Sequence, residues 1–178
     1  MLKQTISKEV LNNTLEFIVK LLNDNNIQNW FISYGTLLGI IRNDSCIEGD
    51  DDVDIIIEKS NYDVLKNMLI ENDIEIWDLS NKFSENNLGN ILKTKYSEKY
   101  CSIDFYMASI NKNGDFHDLW EEKIWSECYN ENKGLPKRIW NGQILNLPAN
   151  PETKLCNRYG ENWRIPQNNK GPNNKHIY

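Results

Sequence analysis

The sequence predicts an α+β domain in which helices pack against a mixed β-sheet. Two observations indicate this class: apolar residues recur at helical spacing in some segments and alternate with a period of two in others. The chain has 178 residues, which suits one domain with its own hydrophobic core. We therefore expect a single domain over residues 1–166, followed by a polar, loosely held C-terminal tail over residues 167–178.

The first predicted element is an amphipathic helix over residues 7–25. Ser7 is a suitable N-cap, and Glu9 lies in the first turn, where a carboxylate is favourable. One apolar stripe recurs at helical spacing and comprises Val10, Leu11, Leu15, Ile18, Leu21 and Leu22. We interpret this helix as a packing element, and we expect a strand over residues 30–33 to follow it.

A glycine turn is predicted at the end of the first strand. Gly35 and Thr36 would form this turn, and residues 37–41 would form a short apolar helical turn. A glycine there lets the backbone approach a phosphate group closely, and the following helical turn presents free amide groups. Arg42 could grip the same phosphate through its planar guanidinium group. An ordinary turn and a surface arginine are the alternatives.

An acidic run leads into a second strand, which is predicted over residues 53–57. Because side chains in a strand alternate between two faces, Asp50, Asp52 and Asp54 can share one face. Three such carboxylates repel one another unless a cation lies among them, and oxygen-only ligands suit Mg²⁺ or Mn²⁺. A solvated acidic turn is the alternative, although such a turn has no need to enter a buried strand directly. An EF-hand calcium loop is excluded because its required Gly and Glu are missing.

The next segments are predicted to form a helix and a β-meander. We expect the helix over residues 61–72, with Ser60 as its cap, and then a short strand over residues 74–79. The meander would contain strands over residues 89–96 and 100–108.

Asp104 lies in the second of these predicted strands, where an aspartate is unusual. Alternation puts Ile103 and Phe105 on one face and Asp104 on the other, and Asp is disfavoured in strands. It is therefore either a surface strand residue or a carboxylate with a function.

The C-terminal third contains one undecided segment, one hairpin and one helix. Residues 115–127 are rich in Trp and Glu, and their periodicity does not distinguish an edge strand from a short helix. His117 lies there, either as a catalytic base or in a structural role. The dipeptide Asn141-Gly142 predicts a hairpin within residues 139–147. A last helix is predicted over residues 150–160, with Asn as its cap, Pro at its first position and Gly at its end.

Composition excludes several classes of function. The net charge is −6 without a polybasic run, so nucleic acid is not an expected partner. No apolar run approaches the ~20 residues that cross a bilayer, and no signal peptide opens the chain, so we expect a soluble, cytoplasmic protein without a membrane span. The cysteines form no C-x-x-C pair, which argues against a zinc site and favours reduced thiols at Cys46, Cys101, Cys128 and Cys156.

Two separated motifs resemble the signature of the LicD/fukutin-like family. The first comprises Tyr34-Gly35-Thr36-Leu37-Leu38-Gly39, Ile41-Arg42 and Asp50-Asp51-Asp52-Val53-Asp54-Ile55, and the second comprises Arg158-Tyr159-Gly160, Trp163 and Pro166. The family usually has Pro-Trp before the acidic triplet, where this chain has Glu48-Gly49, a difference in the loop rather than in the carboxylates. The resemblance spans about residues 28–166 and implies a nucleotidyltransferase-like mixed β-sheet with helices packed against it.

The same resemblance implies a function and a set of site residues. The expected activity is the metal-dependent transfer of a phospho-alcohol group, such as phosphocholine or a polyol phosphate, from a CDP-linked donor to a hydroxyl of a sugar or glycan acceptor. Mg²⁺ or Mn²⁺ would be the cofactor. Asp52 and Asp54 would hold the metal ions, Asp104 would complete a two-metal clamp, and these three ligands would also be the catalytic residues. The residues that contact the donor would be Gly35, Thr36 and Arg42.

Two other functions fit the same sequence. A nucleotidyltransferase of the antibiotic-modifying type, which moves a nucleoside monophosphate onto a small-molecule hydroxyl, shares the glycine turn and the paired carboxylates; the motif that begins at Arg158 favours the LicD-like alternative. A catalytically silent glycan-binding module could use the six Trp and eight Tyr residues. The intact carboxylate set argues against a silent module, because unpaired acids without a metal only reduce stability.

Overall fold

The structure is a computed structural model that describes residues 6–79, 89–166 and 176–178. It confirms the α+β class and the mixed sheet. The helices are α1 (Lys8–Asp24), α2 (Tyr34–Asn43), α3 (Tyr62–Glu71) and α4 (Pro151–Tyr159). The strands are β1 (Trp30–Ile32), β2 (Asp52–Glu58), β3 (Ile91–Lys93), β4 (Ser102–Ile110), β5 (Phe116–Asp118), β6 (Lys123–Trp125), β7 (Lys137–Trp140) and β8 (Gln143–Asn146).

The main sheet is built around β4. Its strands follow the order β1-β2-β4-β5-β6, and β3 also pairs with β4. Strand β2 runs parallel to β4, whereas β3 and β5 pair antiparallel with it: β3 with residues 104–106 and β5 with residues 108–110. Strands β7 and β8 form a separate two-stranded sheet. Both faces of β2 are buried, as its apolar run Ile55–Ile57 requires.

Helix α1 confirms the predicted packing helix. The hydroxyl of Ser7 accepts a hydrogen bond from the Val10 backbone N–H at 3.3 Å, which caps the helix. Thr14 lies within the buried stripe, and its hydroxyl accepts from the backbone N–H of Cys101 at 3.0 Å. This bond fixes α1 to the segment that enters β4.

Helix α2 begins earlier than predicted. Gly35 and Thr36 were expected in a turn before the helix, but both lie in its first turn. The chain enters the helix directly because the Ser33 carbonyl already accepts from the Leu37 N–H at 2.9 Å. Tyr34 makes the necessary bend with a φ of 45°.

The predicted cap of α3 is also wrong. Ser60 lies in a single 3₁₀ turn, Lys59–Asn61, which precedes the helix and takes the place of a side-chain cap.

The predicted strand over residues 74–79 is reduced to one isolated bridge, between Ile76 and Thr94. Strand β3, Ile91–Lys93, is correspondingly shorter than the predicted strand over residues 89–96. The predicted meander begins at residue 81, and its part over residues 81–88 lies outside the described residues.

The undecided segment over residues 115–127 forms the antiparallel strands β5 and β6. The predicted hairpin at Asn141-Gly142 is confirmed: both residues have positive φ angles, 46° and 75°, which match the turn chemistry. Helix α4 starts with proline and ends at Gly160 as predicted, although the side chain of Asn150 makes no cap hydrogen bond.

The end of the chain departs from the predicted loose tail. Residues 167–175 lie outside the described part of the chain, but His176 to Tyr178 pair with β6. The backbone N–H of Tyr178 donates to the Ile124 carbonyl at 2.8 Å, and its ring packs against Trp125 with 2 % exposure. An aromatic residue at the end of a polar segment provides the burial that holds these three residues in place.

All four cysteines are free thiols. None of the helices in the described part of the chain has the length and apolar character that a membrane span requires.

Candidate active site

The parallel pairing of β2 and β4 brings two buried carboxylates together. Asp54 lies opposite Asp104 in the register of the two strands, so their side chains share one face of the sheet. Asp52 precedes Asp54 by two residues and shares that face. Asp54 is 6 % exposed and Asp104 is 2 % exposed, so Asp104 is not a surface strand residue. The geometry is the one that the strand alternation predicts.

The first turn of α2 and the neighbouring strand fix the Asp54 side chain. The backbone N–H of Gly35 donates to its Oδ2 atom at 3.0 Å, and the Tyr106 hydroxyl donates to Oδ1 at 3.2 Å. The hydroxyl of Thr36 accepts from the Asp54 backbone N–H at 2.9 Å. Gly35 and Thr36 were expected to contact the donor phosphate, but here Gly35 contacts the Asp54 carboxylate and Thr36 contacts the Asp54 backbone.

Asp104 forms an ion pair that the sequence did not predict. Lys93 lies opposite it across β3 and β4, and its ammonium group contacts Oδ2. The second oxygen, Oδ1, is buried without a hydrogen-bond partner. Burial lowers the pKa of Lys93, but the hydrogen bond and the charge of Asp104 outweigh that effect and keep the ammonium charged.

A second carboxylate set overlaps the first at Asp52. Asp50, Asp51 and Asp52 each place one carboxylate oxygen within 4.8 Å of the other two. Asp50 also comes close to α2: a Cβ atom on Gly35 would lie 2.5 Å from its Oδ2 atom. Glycine at this position therefore makes room for the acidic run beside the helix.

Burial and mutual repulsion raise the pKa of the three strand carboxyls. For Asp52 the largest cause is burial, followed by the charges of Asp54 and Asp104. For Asp54 burial again comes first, followed by the charge of Asp50. Burial also raises the pKa of Asp104, although Lys93 opposes this shift. The ionised cluster is thus unfavourable without a cation.

These residues fit a divalent cation of the Mg²⁺ or Mn²⁺ type. The donors are oxygen atoms alone, the carboxyls are destabilised in their charged form, and one buried oxygen of Asp104 has no partner.

Arg42 and His117 lie away from this centre. Arg42 is on the same side of α2 as Gly35 but two turns further along, about 10 Å by helical rise. Its Nε atom is buried without a hydrogen-bond partner. His117 is exposed and pairs with Ser109, five residues along β4 from Asp104, or about 17 Å. The structure therefore does not bring His117 to the carboxylates.

A buried aromatic cluster connects the C-terminal motif to the site. The rings of Tyr34 and Tyr106 meet edge to face, with centroids 4.8 Å apart. The Tyr34 hydroxyl donates to the buried Asp118, and the Arg158 guanidinium lies over the Tyr34 ring, 4.1 Å from its centroid. Arg158 also donates to the Tyr178 hydroxyl at 3.0 Å. The cluster holds Tyr106 behind the carboxylates.

Sequence reasoning missed Lys93, Tyr106 and Asp118 as parts of this arrangement. Tyr106 could have been found, because it follows Asp104 by two residues in a predicted strand and therefore shares its face. No comparable signal marks Lys93 or Asp118, whose contacts depend on which strands become neighbours.

A cavity of about 710 Å³ opens beside the acidic run. Asp51 lines it together with two aromatic residues, Tyr96 and Tyr100. The Tyr96 hydroxyl donates to the Asp51 carbonyl at 2.9 Å, which fixes one wall. Aromatic rings and hydrogen-bonding groups of this kind can contact a sugar or a nucleoside.

Comparison with solved structures shows the nucleotidyltransferase fold. The crystal structure of the lincosamide antibiotic adenylyltransferase LnuA, bound to lincomycin, has a TM-score of 0.56 and 11 % identity over 85 % of this chain and 86 % of that one. The solution structure of the antibiotic-resistance factor ANT(2'')-Ia has a TM-score of 0.55 and 11 % identity over 79 % of this chain and 66 % of that one. At such low identity the likeness concerns the fold alone.

Comparison with protein families identifies a family as well as a fold. No curated protein matches the chain significantly. The family described as LicD/FKTN/FKRP, nucleotidyltransferase domain, matches residues 26–150, which include α2, β2, β4 and all the carboxylates described above. The second motif, from Arg158 onward, lies beyond the matched residues. Because the match covers well over half of the sequence, the chain belongs to the LicD/FKTN/FKRP nucleotidyltransferase-domain family and is a transferase.

Proposed function

We propose that the protein transfers a phospho-alcohol group, such as phosphocholine or a polyol phosphate, from a CDP-linked donor to a hydroxyl of a sugar or glycan acceptor. Membership of the family supports a transferase of this kind. The observation that carries the proposal is the parallel register of β2 and β4, which sets the buried Asp54 beside the buried Asp104. The charge of Asp104, after burial and the charge of Asp50, raises the pKa of Asp54.

The residues divide the chemical task among them. In the transfer, the acceptor hydroxyl oxygen attacks the donor phosphorus that bears the alcohol, the bond from that phosphorus to CMP breaks, and CMP leaves with the bonding electrons. Asp52 and Asp54 would hold Mg²⁺ or Mn²⁺, which when bound neutralises the diphosphate and stabilises the leaving CMP. Gly35 and Tyr106 orient Asp54 by hydrogen bonds to its two oxygens.

Asp104 would take the proton that the hydroxyl loses. Its Oδ1 atom has no hydrogen-bond partner, and burial raises its pKa, which suits a general base. Arg42 remains a proposed contact for the donor, because helical periodicity puts this residue on the same side of α2 as Gly35. The cavity at Asp51 and Tyr96 offers room for a sugar or nucleoside ring.

The test is CMP release from CDP-choline and CDP-ribitol in the presence of Mn²⁺ and a panel of sugar acceptors. We expect Asp104→Asn to keep the fold and donor binding while lowering turnover by about 10² to 10⁴. Asp63→Asn is the matched control, because Asp63 is an exposed residue of α3. An unchanged turnover in Asp104→Asn would remove this residue from the mechanism.

Nucleotide choice separates the proposal from antibiotic nucleotidylation. With saturating Mn²⁺, calorimetry should give tighter binding for CDP than for ADP or GDP. Tighter purine binding, together with transfer of a nucleoside monophosphate to a small-molecule hydroxyl, would instead establish the nucleotidyltransferase alternative. Glycan binding without turnover of any donor would establish the silent module.

A further inference from the structure

The fold places a lysine ammonium among the carboxylates of the site. Asp104 has an acidic neighbour, Asp54, across one edge of β4 and a basic neighbour, Lys93, across the other. The ammonium group of Lys93 contacts Oδ2 of Asp104. The lysine side chain is 35 % exposed and that of Asp104 is 3 % exposed, so a buried carboxylate anchors the charged end of a partly open side chain.

This contact takes one of the two oxygens with which Asp104 could hold a second metal ion. Sites with two metal ions hold them about 3.5–4 Å apart and require carboxylate oxygens for both. Oδ2 of Asp104 is paired with Lys93, so Oδ1 is the oxygen of this carboxylate that has no hydrogen-bond partner. A second ion beside Asp104 would have to bind Oδ1 next to the ammonium group or displace that group from Oδ2.

The charge of the ammonium group acts against a second divalent ion beside Asp104, because two cations at one carboxylate repel each other.

We propose that the site takes a single divalent cation at Asp52 and Asp54, and that the ammonium group of Lys93 occupies the second cation position beside Asp104. Lys93 is thus a charge-balancing residue that replaces one metal ion of a two-metal site. This inference rests on the proposed function, because it concerns how the metal of that function is held.

The test counts the Mn²⁺ ions bound per chain, from the electron paramagnetic resonance signal of free Mn²⁺ during a titration of the purified protein. We expect one ion in the wild type and two in Lys93→Met, which keeps the length of the side chain and removes its charge. Lys93→Arg keeps the charge and should remain at one. Lys95→Met is the matched control: Lys95 pairs with the exposed Glu75 at 2.8 Å, and its loss should leave the count at one.

Each result decides the inference. Two ions in the wild type, or one ion in a folded Lys93→Met protein, would overturn it. If Lys93→Met does not fold, the ion counts of the wild type and of Lys93→Arg still test the inference, because two bound ions in either protein contradict it. Absence of Mn²⁺ binding in the wild type would refute both the inference and the metal-dependent function. One ion without turnover of any CDP-linked donor would refute the function alone.

Discussion

At the scale of single residues, the site depends on a few side chains whose partners are within the protein. Gly35 serves the carboxylates twice: its N–H donates to Asp54, and its missing side chain makes room for Asp50. Thr36 holds the backbone of Asp54, so the turn that resembles a phosphate-binding motif acts first as a support for the metal ligands. This arrangement fixes the carboxylates before a substrate arrives, which reduces the reorganisation needed during the reaction.

The metal ligands can be identified by substitution. We expect Mn²⁺ to raise the melting temperature of the wild type, and Asp52→Asn or Asp54→Asn to abolish that rise. Without metal at neutral pH, Asp52→Asn should be more stable than the wild type by on the order of 1 kcal/mol, because the wild type must protonate this buried carboxyl on folding and asparagine needs no proton. Thermal denaturation with and without Mn²⁺ measures both effects.

Asp51→Asn separates the two overlapping carboxylate sets. Its side chain belongs to the close group with Asp50 and Asp52 but not to the shared strand face. We expect this variant to keep the Mn²⁺ response. If Asp51→Asn abolished the rise in melting temperature, the ion would have to be assigned to the acidic run before β2. A wild type whose melting temperature does not change with Mn²⁺ would contradict the proposed metal site.

At the scale of elements, the position of α2 depends on one close contact with the acidic loop. A Cβ atom on Gly39 would lie 2.5 Å from the Ser45 carbonyl oxygen and 3.1 Å from the Cα atom of Cys46. The obstructing atoms belong to the backbone, so they cannot rotate away. The same loop is held from the other side by Asn12 of α1, whose amide oxygen accepts from the Cys46 N–H at 2.9 Å.

We therefore expect Gly39→Ala to destabilise the protein. The added methyl group must push α2 away from the loop, which costs about 1–3 kcal/mol as other cases of overpacking do and exceeds the gain in helix propensity of about 1 kcal/mol. Gly134→Ala is the control, because no atom lies within 4 Å of the position its Cβ would take. Urea denaturation measures the free energy of unfolding of both variants. Equal values would show that the loop containing Ser45 and Cys46 can shift to accommodate the methyl group.

The sequence predicts those elements whose signal is local. Strand alternation was sufficient to predict that Asp52 and Asp54 share one face of the sheet. The dipeptide Asn141-Gly142 was sufficient to predict the β7–β8 hairpin. The contact of Lys93 was not predictable, because it depends on the register of a three-residue strand against β4. The start of α2 was misplaced for a related reason, since Tyr34 adopts a left-handed conformation that tertiary contacts of its ring stabilise.

At the scale of the whole molecule, the same buried aromatic residues pack in the core and hold the site in place. Tyr178, at the end of the described chain, is buried against Trp125 and accepts a hydrogen bond from Arg158, which lies over Tyr34. Tyr34 in turn packs against Tyr106. Elements from both ends of the sequence thus converge behind the carboxylates, and the stability of the domain and the geometry of the site are coupled.

The raised carboxyl pKa values predict how the metal-free protein responds to pH. A carboxyl whose pKa is higher in the folded state binds its proton more tightly there, so its contribution to stability is lost as the pH rises from the ordinary value of 3.8 through the raised values, about 7 for Asp54 and about 9 for Asp52. We expect the melting temperature in EDTA to fall by several degrees across this range.

Bound Mg²⁺ should flatten or reverse this dependence, because it favours the ionised carboxylates. The double variant Asp52→Asn/Asp54→Asn should show a weaker dependence in EDTA than the wild type. A wild-type melting temperature that rises with pH in EDTA would contradict the pKa directions.

The parallel pairing of β2 and β4 delays the assembly of the site while the chain folds. Residues 59–101 separate the two strands, so Asp54 and Asp104 meet only after a long loop has closed. Hairpins with short connections, such as β5–β6 and β7–β8, can form well before that contact. The repulsion between the carboxylates therefore arises late, and a cation that relieves it slows unfolding of the finished protein rather than guiding the early collapse of the chain.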